Sequence, residues 1–110
     1  MPVGNYPFGL TIVPFSPTPT FDCTTGNVFR ITLTAAITSM SVINASPGHW
    51  YCFIFAQDSS GLHSVNWPAN FKGVVPITIL ALANTVAIQT VVYDGVDFFA
   101  DSLGQLSLNI

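Results

Sequence analysis

Alternation of apolar and polar side chains is the dominant pattern along this chain. In VFRITLT (residues 28–34) Phe29, Ile31 and Leu33 fall on one side and Arg30 and Thr32 on the other, the period of two that marks a half-buried strand. ITSMSVIN (residues 37–44) repeats it, with Ile37, Ser39, Ser41 and Ile43 against Thr38, Met40 and Val42. WYCFIFAQ (residues 50–57) is apolar on both sides, which predicts a strand in the middle of a packed sheet. Further strands are expected at HSVNW, PITIL, VAIQTVVY, VDFFAD and QLSLNI. Turn residues separate them: Thr24-Thr25-Gly26-Asn27, Pro47-Gly48, DSSGL and Lys72-Gly73. Ala83-Asn84-Thr85 links two strands, and Asp94-Gly95 predicts a type I′ hairpin, whose two central positions need positive φ. No segment carries a helical period with caps. About eight strands at this spacing predict an all-β fold, an antiparallel β-sandwich of jelly-roll type over residues 20–110, with the strand order left open.

Residues 1–19, MPVGNYPFGLTIVPFSPTP, differ in character from the rest of the chain. Five prolines fall among them, and proline fixes its own φ and pushes its predecessor toward extended conformations. An extended N-terminal arm is the expectation. Tyr6, Phe8, Leu10 and Ile12 alternate with Pro7, Gly9 and Thr11, so one side of the arm is apolar, and Phe15 lies just beyond. The arm either folds back on its own domain as a strand or docks on a neighbouring subunit.

Residues 73–93, GVVPITILALANTVAIQTVVY, carry no charge, and about 20 apolar residues can cross a bilayer as a helix. The β-branched content, Pro76, and the absence of Lys/Arg clusters at the ends argue for two strands instead and against a membrane partner. Over all 110 residues, 50% are hydrophobic and only 6% charged, with a net charge of -3. A domain this small buries only about two-thirds of its unfolded surface, so apolar side chains must remain outside a lone core. Exposed apolar patches mark contact surfaces, which predicts a homo-oligomer. Arg30 and Lys72 are the only bases, too few to neutralise a nucleic-acid backbone. The start of the chain lacks the basic and apolar regions of a secretory signal. Cys23 and Cys52 are then expected as reduced thiols, with pairing the alternative.

Candidate chemistry is sparse. There is no nucleophile-elbow motif, His49 and His63 are isolated, and the five acids are aspartates at turns or strand ends. Asp94-Gly-Val-Asp97 lacks the further ligands of a calcium loop, and no Cys or His pair has zinc spacing. Neither an enzyme nor a cofactor or metal site is expected. Trp50, Tyr51 and Trp67 could stack on sugar faces, with Asn66, Asn70 and Asp58 supplying hydrogen bonds. The competing reading of both tryptophans is core or interface packing. Asn44-Ala45-Ser46 is read as a turn.

TFDCTTGNVFRITLT, SPGHWYCFIFAQDSSGLHSVNWPANFKG and VVYDGVDFFA together resemble a recurring all-β module of tailed-bacteriophage structural proteins, found at tail-fibre tips, in head fibres and in other virion surface proteins. The positions that carry the resemblance are Gly26-Asn27, Pro47-Gly48, Gln57-Asp58, Gly61, Val65-Asn66-Trp67-Pro68 and Asp94-Gly95, spread over residues 20–101. Since the chain opens at Met1 with no long shaft, the resemblance implies a capsid decoration or cement protein. That role places it on the phage head after synthesis in the host cytoplasm, as a homo-oligomer, in the form of a trimer, bound to the major capsid protein through Tyr6, Phe8, Leu10, Ile12 and Phe15. The alternative it implies is a receptor- or glycan-binding tip module of a tail fibre or spike, using Trp50, Tyr51, Asn66 and Trp67.

Overall fold

The computed structural model describes residues 9–74 and 82–100, and the backbone of residues 105–107. Among the described residues there are nine strands and no helix: β1 (Leu10–Val13), β2 (Thr20–Asp22), β3 (Val28–Leu33), β4 (Ser41–Ile43), β5 (Trp50–Gln57), β6 (Phe71–Lys72), β7 (Val86–Tyr93), β8 (Phe98–Ala100) and β9 (Gln105–Ser107). The larger sheet runs in the order β1-β3-β5-β7-β8-β6, and β9 pairs with β7. A two-stranded sheet, β2-β4, lies apart from it.

The strand directions correct the expected antiparallel sandwich. β1 with β3, β3 with β5, β2 with β4 and β6 with β8 are all parallel, and only the ladders made by β7 are antiparallel. The chain passes from one sheet to the other and back, β1 to β2 to β3 to β4 to β5, and each return lays a strand beside the last in the same direction. One further parallel bridge, Ile37 with Val65, continues the stacking. Each coil takes roughly 20 residues, the length of a stacked repeat, so the arrangement is solenoid-like. β7 closes it by running antiparallel to β5, with Ile54 opposite Ile88. A jelly roll would need antiparallel neighbours throughout.

Side-chain alternation decides what the coils enclose. Phe29, Ile31 and Leu33 from β3, Tyr51, Phe53 and Phe55 from β5, and Ala87 and Val91 from β7 all point to one side. Phe21 from β2 closes over them, edge-on to Phe29 at 5.6 Å and to Phe53 at 5.3 Å. Ring stacking then extends the core: Trp67 on Phe71 at 5.2 Å, Phe71 on Phe98 at 4.4 Å, and Phe98 on Tyr93 at 4.3 Å. WYCFIFAQ is the central strand its composition predicts, between β3 and β7.

Other expectations shift in detail. ITSMSVIN is no continuous strand. Ile37 and Met40 both reach the core, three apart, and only Ser41–Ile43 pairs. HSVNW contributes the single bridge at Val65. The hairpin at Asp94 forms, but positive φ falls on Gly95 alone (104°). The Asp94 carboxylate accepts hydrogen bonds from the Val96 and Asp97 amides, at 2.8 and 2.7 Å, and so holds the turn that a type I′ backbone would otherwise make. PITIL lies outside the described residues. No helix among the described residues is long and apolar enough to cross a membrane.

Candidate interaction surface

Adjacent residues on a strand face opposite ways, so the pairs Trp50-Tyr51 and Phe98-Phe99 must each send one ring away from the core. Tyr51 and Phe98 go in, and Trp50 and Phe99 go out, 41% and 43% exposed. Register then builds the outer face of the large sheet row by row. Trp50 pairs with Val92, Val92 with Phe99, and Phe99 with Lys72, one row across β5, β7, β8 and β6. The next row is Leu10, Val28, Cys52 and Thr90, and the next is Ile12, Arg30, Ile54 and Ile88. Leu10 and Ile12 are exposed, while Val28, Ile54, Ile88 and Val92 are half-buried. The result is an apolar face, aliphatic at the β1 corner and aromatic at the β8 corner, and both cations of the chain stand on it.

Asp22, Asp58 and Asp94 lie elsewhere, in turns that satisfy their carboxylates. Asp22 accepts from the Asn44 side chain at 3.0 Å, then from the Thr24 amide and hydroxyl, and these donors hold it below the usual carboxylate range. Asp58 is lowered first by the Gly61 amide and then by His63, whose Nε2 lies 2.9 Å from Oδ1. Asp94 is lowered by the amides of Asp97 and Val96. Among the described residues the one contact of ion-pair distance is His63 with Asp58, so no carboxylate there meets Arg30 or Lys72. Gln57, buried, clamps the same turn with both ends of its amide: Nε2 donates to the His63 carbonyl at 2.8 Å, and Oε1 accepts from the His63 amide at 3.1 Å.

The residues expected to bind a glycan do not gather. Tyr51 is buried, and its hydroxyl accepts from the Ser46 amide. Trp67 packs edge-on to Phe53 and Phe55. Asn66 donates to the Thr38 carbonyl and Asn70 to the Val96 carbonyl, so both amides serve loop packing. Of the three rings, only Trp50 is exposed. Of the arm, Leu10 and Ile12 lie in β1, paired with β3 of the same chain, and Phe15 packs half-buried against the core. Tyr6 and Phe8 lie outside the described residues. Sequence reasoning did not single out Phe99 or Lys72, although two adjacent aromatics in a strand already imply that one faces out.

Among the described residues, neither cysteine is set up as a nucleophile. Burial, aided by the charge of Asp22, pushes the Cys23 thiol up to about 12, where no thiolate is at hand near neutral pH. Cys23 and Cys52 are not joined by a disulfide. Among the described residues no three His, Cys or Asp side chains cluster as a metal site.

Residues 17–98 match the profile of the family described as "Putative phage tail fibre C-terminal domain". The match runs from the segment before β2 to the start of β8. No curated protein and no solved structure matches the chain.

Proposed function

Because the chain belongs to the phage tail fibre C-terminal domain family, and is thus a phage structural protein, we propose that it serves as a non-enzymatic module of a tail fibre, working where the fibre meets the host surface. The observation that carries this reading is the match over residues 17–98, which takes in β2 to β7. Capsid decoration, the leading expectation from the resemblance, gains no support from a tail-fibre family, and the tail-fibre alternative takes its place. Gold-labelled antibody against the protein should decorate the tails of intact virions. Label confined to heads would return the decoration role.

The row Trp50, Val92, Phe99 and Lys72 favours a sugar ligand for that contact. Trp50 and Phe99 sit two strands apart, about 10 Å at the spacing of paired strands, with a lysine beside them. Flat aromatic faces take the apolar side of a sugar ring, and a neighbouring ammonium suits an acidic substituent. On an array of bacterial surface glycans, Trp50→Ala and Phe99→Ala should each lose binding at least about tenfold, as removal of a stacking platform does. Equal binding by both variants would remove the sugar contact from this row.

A further inference from the structure

The row of Trp50 and Phe99 uses one of the two cations on the outer face and leaves Arg30 without a role. Phe29 and Ile31, its neighbours in β3, are buried, so alternation sends Arg30 to the outer face. Register sets it beside Ile54, and the row holding Cys52 and Thr90 separates it from the row of Trp50. Lys72 and Arg30 therefore mark the ends of a diagonal, four strand spacings across (β6, β8, β7, β5, β3) and four residues along. That is roughly 23 Å at ordinary sheet dimensions. Among the described residues no carboxylate lies within ion-pair distance of either cation. We infer that this diagonal is a track for an extended polysaccharide bearing carboxylates, with Lys72 and Arg30 each holding an acid group at a different place along the polymer. The inference rests on the sugar contact proposed for Trp50 and Phe99 and extends it across the sheet.

Charge selects the class of ligand. The chain has a net charge of -3, yet its two cations share one face, while Asp22, Asp58 and Asp94 are engaged in turns. The face therefore favours an anion that the molecule as a whole repels. Two cations so far apart cannot neutralise a nucleic acid, with a phosphate at every nucleotide. They match a polymer whose acids recur at wide intervals. Between them lie half-buried strand side chains, Val92, Cys52 and Ile54, a flat floor that an extended chain can cross and that gives a compact ligand no enclosing walls. The planar guanidinium takes a carboxylate through two parallel hydrogen bonds, and a uronic acid presents that group at the edge of its ring. Each cation alone gains little against solvent. Once a polymer is held at the row of Trp50, its next acid meets Arg30 at high effective concentration. Affinity must then depend on ligand length.

Calorimetric titration of the full chain with galacturonic acid oligomers tests this. The octamer, long enough to reach both cations, should bind at least about tenfold more tightly than the dimer. Arg30→Gln, with an unchanged circular dichroism spectrum, should weaken octamer binding about tenfold and flatten its salt dependence, while dimer binding stays as in the wild type. Lys72→Met should weaken both oligomers, because the dimer sits at its end of the track. Failure of the wild type to bind either oligomer would overturn the carboxylated ligand. Equal affinity for dimer and octamer, or an octamer affinity unchanged in Arg30→Gln, would overturn the track. Either result leaves the shorter sugar contact to be judged by Trp50→Ala and Phe99→Ala on the glycan array, so the two readings fail separately.

Discussion

Phe53 is the side chain on which the core converges. It is fully buried, with ring centroids of Phe21, Phe29, Phe71 and Trp67 at 5.3, 5.6, 5.7 and 6.0 Å. These four come from different elements, β2, β3, β6 and the loop before β6, so one ring ties both sheets and a crossover together. Replacing it with alanine leaves a cavity that neighbours from four directions cannot fill at once. Phe53→Ala should cost about 3–5 kcal/mol, read as a lower urea midpoint, and a loss below about 1 kcal/mol would mean that the rings repack around it. The same geometry seats Trp67, which sequence left between sugar platform and core, against the core as a partly buried ring. It touches Phe53, Phe55 and Phe71. Trp50 could have been separated from Tyr51 by strand alternation alone, since neighbours in a strand cannot share one ligand face.

At the scale of the element, β1 shows what the N-terminal sequence specifies. Its alternating Leu10, Thr11, Ile12 and Val13 predict an extended segment, and it is one, but its partner is fixed by the Gly26-Asn27 turn. The Val28 amide donates to the Gly9 carbonyl at 3.2 Å, and Asn27 Oδ1 accepts from the Gly9 amide at 3.2 Å. A Cβ on Gly26 would stand 2.6 Å from the Gly9 carbonyl oxygen, closer than real contacts allow. Gly26→Ala should therefore unseat β1 and leave the core, with amide exchange at residues 10–13 accelerated by an order of magnitude or more and β5 still protected. Unchanged protection of β1 would show that the turn can shift. Strand positions were legible because burial imposes a period of two. Strand directions were not, because a parallel and an antiparallel strand bury the same alternate residues. The crossovers that make β1, β3 and β5 parallel are irregular segments and short β2 and β4 strands, without the helix that usually signals a parallel connection. The outer face was only half legible: the shortage of charge announced an uncovered surface, while its rows depend on the register between strands distant in sequence.

Three aspartates sit in turns at the ends of elements, and this sets how the stability of the whole molecule should follow pH. Asp22, Asp58 and Asp94 each close a turn between elements, and amide and side-chain donors depress each carboxyl below its ordinary 3.8. A depressed folded-state pKa means that the unfolded chain takes up protons first as pH falls. The contribution of these turns is complete above about pH 5 and drains away as acid carries the solution through the unfolded value and then the lower folded ones. At the other end, burial raises the Cys23 thiol from 9.0 to about 12. Here the unfolded chain loses its proton first, so the contribution is full below about pH 8 and erodes as pH climbs from about 9 toward the folded value. The melting temperature should accordingly be level from about pH 5 to 8 and decline on both sides. Thermal melts of Asp94→Asn should show a lower plateau with a shallower acid limb, and those of Cys23→Ala a flatter alkaline limb. An acid limb unchanged in Asp94→Asn would mean that the turn accepts its amides without a charge. The solenoid-like coils would then owe their pH response to the remaining aspartates at the other turns.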